Sequence, residues 1–526
     1  MKFNQKSIFY PFLFAIFPII YLYSINFIET PFFDIILPIL ISLSATIVLL
    51  IITRLILKTW IKSGLVISLL LILSFSYGHL YELINTSFMG EFGIGKHRYL
   101  MIEFFAIFVI GTIIIIRRKI KTSNSTIILN SIAITLLVLT IPNFIFSDNS
   151  QIDLNPENLM MSNNNLSPNS FQFQYELENL SQLTSQEKPD IYYILLDGYG
   201  GTMRMKEDLN FDNYGFLLEL NDKGFFAFDN SNSNYPSSLW SLTSTFSMNY
   251  LPSSKTTQSN TEYSNFLNEI LKNNEVMRNL DYLDYEIIDF QPNDGLITQQ
   301  YQFTDQGFCQ QEESSQSKFT QTLLRTTILS YLNNQLLLNG DRDSIICGFS
   351  EIGFLGEKND KPIFAVMHLR LPHPPYVFGA NGEFVISSKV QTEEGSFVDE
   401  EKYVDSIKFA NKKTMDVIDT ILMHDDNSII IIQSDHGYDF GINYENPSDL
   451  QLKQRFSNLN AIYLPDSNNG SFYEGFTSVN MFRIIFNEQF NTSYSILDDK
   501  MFYHPYGGKS VHNKVTFEDV TKIILN

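Results

Sequence analysis

The stretch NSIIIIQSDHGYDFG, residues 427–441, decides how the rest of the chain is read. Ile429–Ile432 form a short, apolar, β-branched run, the pattern of a strand covered on both faces. The run leads into Asp435 and His436, two good ligands for a hard or borderline metal ion. Gly437 follows and permits a sharp backbone bend. Alone, the segment reads equally well as a strand with a polar cap. The two readings separate only if other parts of the chain bring ligand-type residues to the same place.

A chain of 526 residues has room for more than one domain, and its formal net charge of −21 excludes nucleic acid as a partner. Apolar residues crowd into the first 146 positions as five runs: Phe9–Ile25, Ile35–Ile52, Leu65–Tyr81, Leu100–Ile116 and Ile127–Phe146. Each approaches the ~20 apolar residues that cross a bilayer. No small-residue cleavage site follows the first run, so it reads as a span rather than a signal peptide. Lys2, Lys6, Arg54, Lys58, Lys62, Arg117, Arg118, Lys119 and Lys121 fall on one side of the resulting layout, while Glu29 and Asp34 fall on the other. The positive-inside rule then places the N-terminus in the cytoplasm, and five spans place everything after Phe146 outside it. Glu103, near the start of the fourth run, suits the membrane interface better than a transport path.

Residues 147–188 change character, with SDNSQIDLNPENLMMSNNNLSPNS (147–170) rich in Asn, Ser and Pro, and read as a linker. Residues 189–526 then form one large extracytoplasmic domain. Within it, DIYYILLDGYGG (190–201), GFFAF (224–228), YEIIDF (285–290), PIFAVMHL (362–369) and the isoleucine run read as strands. VDSIKFANKKTMDVIDTILM (404–423) has helical spacing, with Ile407, Met415, Ile418 and Ile421 near one face. Strand–helix–strand alternation predicts a doubly wound, mostly parallel α/β sheet with helices on both faces. Such sheets bind ligands beyond the carboxyl ends of their strands. Asp197, Asp435 with His436, His368 and His373, and the loop Asn234–Ser238 all fall at such ends. Cys309 and Cys347 would lie outside the cytoplasm, where a disulfide persists; a bridge and two unpaired buried cysteines both stay open.

A nucleophile is available in SNYPSSLWSLTSTFSMNYL (233–251). Pro236-Ser237-Ser238 reads as a helix start, with Leu239, Leu242 and Phe246 at helical spacing behind it. A hydroxyl there faces the positive end of the helix dipole, a setting that favours an alkoxide and binds phosphate or sulfate oxygens. A nearby metal ion would lower the hydroxyl pKa further. A capping role for Ser237 or Ser238 is the plainer alternative.

Taken in order, IYYILLDGYGG, NYPSSLWSLTS, HLRLPHPPYVF and IIIIQSDHGYDFG resemble the alkaline phosphatase/sulfatase superfamily over roughly residues 188–510. The likeness is to its membrane-anchored branch, which includes lipoteichoic acid synthases and phosphoethanolamine transferases. That resemblance implies Asp197, Asp435, His436 and Ser238 as metal ligands, and Ser238 as a nucleophile that forms a covalent intermediate. It implies His373 as a contact to the transferred or leaving group, with His368 and Arg455 (in RFSNLNAIYLP) in substrate-binding roles. It further implies one divalent ion, with Mn²⁺ or Zn²⁺ favoured by the imidazole and Mg²⁺ admissible. The donor would be a membrane phospholipid and the acceptor an envelope glycan or lipid. The sequence departs from formylglycine sulfatases, since Ser237 and Ser238 are followed by LWSL and not by the Pro and Arg of C/S-x-P-x-R. Ser also stands where the transferase branch usually has Thr, and the adjacent Ser237 leaves the register open by one.

The expected function is therefore a membrane-anchored, metal-dependent, sulfatase-like phosphotransferase. The alternatives are a sulfatase-like hydrolase (phosphodiesterase, phosphatase or sulfatase) and a non-catalytic envelope protein. On this topology, a reporter enzyme fused after Asn526 is expected to be active only outside the cytoplasm. Activity in the cytoplasm instead would overturn the five-span reading.

Overall fold

The computed structural model describes residues 8–26, 32–85, 97–117, 122–141, 188–252, 260–290, 301–309, 318–385, 399–465, 471–505 and 515–525. The linker read at 147–188 lies outside these residues except for Lys188. The chain divides into two compact units: Met1–Leu154 with Glu313–Leu337, and Asn155–Glu312 with Leu338–Asn526.

In the first unit the apolar runs are helices α1 (Tyr10–Asn26), α2 (Ile36–Leu57), α3 (Trp60–Asn85), α4 (His97–Arg117) and α5 (Thr122–Val138). Among the described residues, Phe32–Leu57, Trp60–Tyr81 and Tyr99–Arg117 are long and apolar enough to cross a membrane. The apolar parts of α1 and α5, Tyr10–Ile25 and Ser125–Val138, are shorter. At 1.5 Å per residue a helix of 17 residues reaches about 25 Å, against about 30 Å of hydrocarbon. Among the described residues, three helices are thus long and apolar enough to span where the sequence suggests five. Leu55, Ile102 and Phe105 are largely exposed, an arrangement that lipid makes favourable and water does not. Side-chain hydrogen bonds tie these helices to one another. Asn130 Oδ1 on α5 accepts the Phe9 and Tyr10 N–H groups at 3.2 and 2.8 Å, and the Ser42 hydroxyl donates to Ala15 O at 2.9 Å. Residues 313–337 belong to this unit although the sequence reading places them in the extracytoplasmic domain. Phe319 and Leu323, four apart on the helix Lys318–Thr326, bury against Ile19 and Ile35.

The second unit is built on a seven-stranded sheet. Its strands are β1 (Ile191–Leu196), β2 (Phe226–Ala227), β4 (Glu286–Phe290), β5 (Gln306–Phe308), β6 (Ile363–Leu369), β7 (Ile429–Gln433) and β9 (Asn460–Tyr463). Two short strands, β3 (Ser231–Asn232) and β8 (Ser457–Asn458), pair separately. The order is β2-β9-β7-β1-β6-β4-β5. The five strands from β7 to β5 are parallel, β9 runs against β7, and β2 runs against β9. Six strands thus point the same way, and β9 alone is reversed.

Strand alternation explains the isoleucine run. Ile430 and Ile432 join Tyr192, Ile194 and Leu196 in a core on one face of the sheet. Ile429 and Ile431 join Ile191, Tyr193 and Leu195 in a core on the other. The helix Glu400–His424 covers the first face with Ile407, Ile418 and Ile421, as its spacing predicts. Asp399 caps it, its side chain accepting the Lys402 N–H. Cys309 and Cys347, left open above, are joined in a disulfide within this unit.

At the amino edge of the sheet Asp190 ties three strands together. Its carbonyl accepts the Ile429 N–H at 2.7 Å and its Oδ1 accepts the Ile363 N–H at 2.9 Å. Burial pushes its carboxyl from 3.8 up to about 6. A carboxyl whose folded pKa lies above its unfolded value favours folding most below the unfolded pKa, and that contribution is lost as pH rises through the folded pKa. The window is therefore between about pH 4 and pH 6. Asp190→Asn keeps an acceptor for Ile363 and removes the buried charge. It is expected to raise stability by about 1–3 kcal/mol at neutral pH and by close to nothing near pH 4, as read by urea unfolding at the two pH values.

Candidate metal centre

The parallel pairing of β1 with β7 sets Leu195 beside Gln433. Two residues further on, both strands have ended and the same register carries Asp197 next to Asp435. Both are buried, at 5% and 2% exposure, and His436 is 1% exposed. His436 Nε2 lies 3.6 Å from Asp197 Oδ1 and 3.4 Å from Asp435 Oδ2. Two ligands bound to one tetrahedral ion at about 2.0–2.1 Å stand about 3.4 Å apart, so these separations suit a shared ion.

The hydrogen bonds leave one oxygen of each carboxylate unused. Asp435 Oδ1 accepts the Gly198 N–H at 3.2 Å and the His436 N–H at 3.0 Å. Asp435 Oδ2 and Asp197 Oδ1 are buried and have no hydrogen-bond partner. Two partnerless carboxylate oxygens turned toward one imidazole are costly unless a cation joins them. The imidazole is prepared to act as a ligand. His436 Nδ1 lies 2.9 Å from Gly437 O, and because a carbonyl only accepts, Nδ1 carries the proton and Nε2 the lone pair. Burial and the neighbouring Arg455 guanidinium lower the His436 pKa and keep the ring neutral. Burial alone would raise the Asp197 carboxyl; the neighbouring His373, His368 and His436 imidazoles outweigh it and hold the group ionised.

Ser238 is the first residue of the helix Ser238–Ser247, and its Oγ lies 3.2 Å from His436 Nε2. Ser237 is the extended residue before the helix and makes no side-chain capping bond. The structure therefore brings Ser238, not Ser237, to the imidazole. Arg455 arrives from the helix Asp449–Phe456, which precedes the reversed strand β9 and so ends at the same sheet edge. It is 5% exposed. Its Nε donates to Pro236 O at 2.6 Å, its Nη1 to Gly437 O at 3.0 Å, and its Nη2 to His436 Nε2 at 3.1 Å. His368, on β6, has its Nε2 3.7 Å from Asp197 Oδ2. His373 is half-buried, its Nδ1 donating to Pro374 O at 2.7 Å, with its ring centre 6.4 Å from that of His436. A small cavity lies beside these groups, lined by Gly198, His373, Tyr376, Tyr438, Asp439 and Arg455 among others. Of the expected residues, Asp197, Asp435, His436 and Ser238 converge on one point, Arg455 bonds to His436 there, and Arg455 and His373 line the adjacent cavity. His368 lies beside Asp197 and is not among the residues that line the cavity.

The sequence reading did not single out Ser434, Asn458 or Tyr403, which hold these loops in place. Ser434 Oγ accepts the Tyr199 N–H at 2.9 Å and donates to His436 O at 2.7 Å, and Asn458 Nδ2 donates to Ser434 O at 2.5 Å. For Ser434 and Asn458 the only sequence signal is adjacency to segments that carry candidate residues, and Tyr403 has none.

The family model described as Sulfatase matches residues 220–525, more than half of the chain, with Asp197 lying before the matched stretch. No curated protein matches the chain. Among solved structures, the C-terminal periplasmic domain of EcEptC from Escherichia coli in complex with Zn is similar at 11% identity and a TM-score of 0.40, covering 65% of this chain and 96% of that one. The integral membrane lipooligosaccharide phosphoethanolamine transferase A of Neisseria meningitidis is similar at 13% identity and a TM-score of 0.36, covering 90% and 94%. The C-terminal periplasmic domain of the phosphoethanolamine transferase EptC of Campylobacter jejuni is similar at 14% identity and a TM-score of 0.35, covering 59% and 91%.

Asp435→Asn tests the centre directly. It keeps an oxygen for the Gly198 and His436 N–H groups and removes one of two adjacent buried charges. Affinity for Mn²⁺ or Zn²⁺ is expected to fall at least about tenfold by calorimetric titration, while the metal-free protein unfolds at the same or a higher temperature. A large loss of metal-free stability with unchanged metal binding would assign the carboxylate a structural role instead.

Proposed function

This chain belongs to the sulfatase family, and on that premise we propose that it is a membrane-anchored, metal-dependent phosphotransferase that moves a phospho-group from a membrane phospholipid to an envelope glycan or lipid through a covalent Ser238 intermediate. The observation that carries the reading is the pair of partnerless oxygens, Asp197 Oδ1 and Asp435 Oδ2, converging with His436 Nε2 beside the Ser238 hydroxyl. Asp197, Asp435 and His436 would hold one divalent ion, Mn²⁺ or Zn²⁺ in preference to Mg²⁺, with Ser238 as a further ligand. When bound, the ion supplies positive charge against the phosphoryl oxygens and lowers the pKa of the serine hydroxyl.

The chain's own groups do the rest. Ser238, at a helix N-terminus whose first N–H groups have no helical carbonyl to bond, gives up its hydroxyl proton to solvent and attacks the phosphorus as the alkoxide, which a helix N-terminus favours. In the arrangement seen here Arg455 holds the His436 ring through Nη2 and the Pro236 and Gly437 carbonyls through Nε and Nη1. Were a cation held on the Nε2 lone pair, Arg455 Nη2 would be free to meet an anionic substrate oxygen. His373 is fixed through its Nδ1–H, and its other nitrogen hands a proton to the departing lipid alcohol. In the second half His373 takes a proton from the acceptor hydroxyl, which displaces Ser238 from phosphorus. His368, placed behind Asp197, supports that carboxylate and from there the substrate. The apolar helices of the first unit would keep the enzyme at the surface where a phospholipid donor resides.

Membranes carrying the protein, incubated with labelled phospholipids, are expected to release diacylglycerol and label a glycan or lipid acceptor. Label released only as a free phospho-compound, with no acceptor labelled, would make the protein a hydrolase. Ser238→Ala is expected to lower turnover by about 10³-fold or more and to leave metal binding only weakened. Ser237→Ala is expected to stay within about twofold, since Ser237 makes no capping bond whose loss would cost the usual ~1 kcal/mol. Normal turnover in both variants would replace the covalent serine with a directly attacking water.

A further inference from the structure

The segment that follows Asp197 is fastened by three successive amides to three side chains. Gly198 N–H donates to Asp435 Oδ1 at 3.2 Å, Tyr199 N–H to Ser434 Oγ at 2.9 Å, and Gly200 N–H to Tyr403 Oη at 2.9 Å. The first two acceptors belong to the other ligand loop. The third comes from outside both loops, from the first turn of the helix Glu400–His424. The same hydroxyl donates to Gly198 O at 2.9 Å, so one oxygen grips the loop at its donor and its acceptor, one residue beyond Asp197.

The surroundings allow Tyr403 little freedom. It is 1% exposed, and its ring centre lies 5.5 Å from that of Tyr438, 5.2 Å from that of Phe440 and 6.3 Å from that of Tyr376. Gly198 has a φ of +74°, a conformation costly for other residues, and a loop held there needs ties to keep it. A Cβ on Gly200 would come within 2.6 Å of the Tyr438 ring, so loop and aromatic cluster are fitted to each other. Asp197 Oδ1 has no hydrogen bond that would aim it; its direction depends on the backbone that carries it.

We infer that Tyr403 is a positioning residue for the metal centre: its hydroxyl, bridging Gly198 O and Gly200 N–H, fixes the backbone that aims the Asp197 carboxylate at the ion. This rests on the metal reading of the site given above. Groups that orient ligands typically change metal affinity about 10- to 100-fold when removed.

The test is Tyr403→Phe in the full-length protein in detergent, which keeps the ring and deletes only the bridging oxygen. Tyr285→Phe is the matched control. It is also a buried tyrosine, bonded to Pro189 O at 2.8 Å at the amino end of β1. By calorimetric titration with Mn²⁺ and Zn²⁺, Tyr403→Phe is expected to weaken binding about tenfold or more, and Tyr285→Phe less than about twofold. If both variants lose similar thermal stability and keep the wild-type affinity, Tyr403 is structural only and the inference is overturned. If the wild type binds neither ion, the metal reading falls and takes this inference with it, an outcome distinct from the first. Should Tyr403→Phe not fold, hydrogen exchange of the metal-free wild type decides the matter. The Gly200 amide is expected to be strongly protected before any ion is added, and fast exchange there overturns the inference.

Discussion

Two carboxylates side by side at the ends of adjacent parallel strands set the terms for everything around them. The β1–β7 register makes Asp197 and Asp435 neighbours whatever their loops do, because strands paired at Leu195 and Gln433 emerge together. Buried like charges are unfavourable, so the fold must supply compensation. It does so unequally. Asp435 Oδ1 is held by two backbone N–H groups, and Asp197 is flanked by imidazoles on β6 and on the loop that follows it. Arg455 brings a full positive charge to the same spot through a ring nitrogen that it shares with Ser238. The two oxygens left over define where a cation would sit.

Bringing Arg455 so close requires a helix end to lie directly on the Asp435–His436 loop, and Gly437 is where that happens. A Cβ at Gly437 would fall 2.0 Å from Gln454 O and 2.4 Å from Ser457 O. The sequence suggests that this glycine serves a sharp bend. In the structure its φ is not in the left-handed region, and the demand on it is closeness. The contact is mutual, since Gly437 N–H donates to Arg455 O at 2.8 Å while Arg455 Nη1 returns a bond to Gly437 O. Below it lies a buried polar layer in which Ser434, Asn458 and Ser231 bond to one another, at 2.5 Å for Asn458 to Ser434 O and 2.9 Å for Ser231 to Asn458. Such a network specifies geometry only when its members are satisfied, and it ties the loops to the two-stranded β3–β8 ribbon.

The first unit solves a different problem with simpler means. Its helices present apolar side chains outward, and Asn130 between them is matched to the backbone at the start of α1. The segment Glu313–Leu337 joins it from far along the chain through Phe319 and Leu323. That pairing depends on two apolar residues four apart in a short helix, too little for a sequence pattern to announce.

The sequence by itself determined the apolar helices, the strand-and-helix alternation, and the ligand types at strand ends. Each rests on a local regularity: hydrophobic runs, a period of two or 3.6, a polar residue where a β-branched run stops. The isoleucine run was legible because a strand with a core on both faces must be apolar throughout. Asp197, Asp435, His436 and Ser238 were legible as candidates for the same reason, each standing where a predicted element begins or ends. Tertiary structure alone decided which of them meet. It brought the Ser238 hydroxyl, at the first position of its helix, to within 3.2 Å of His436 Nε2. It paired Cys309 with Cys347, and it moved residues 313–337 into the first unit. It also put Tyr403 over the Asp197 loop, across 205 positions of sequence from Gly198. Contacts between residues so far apart follow from strand order and packing, which leave no periodic trace in the chain.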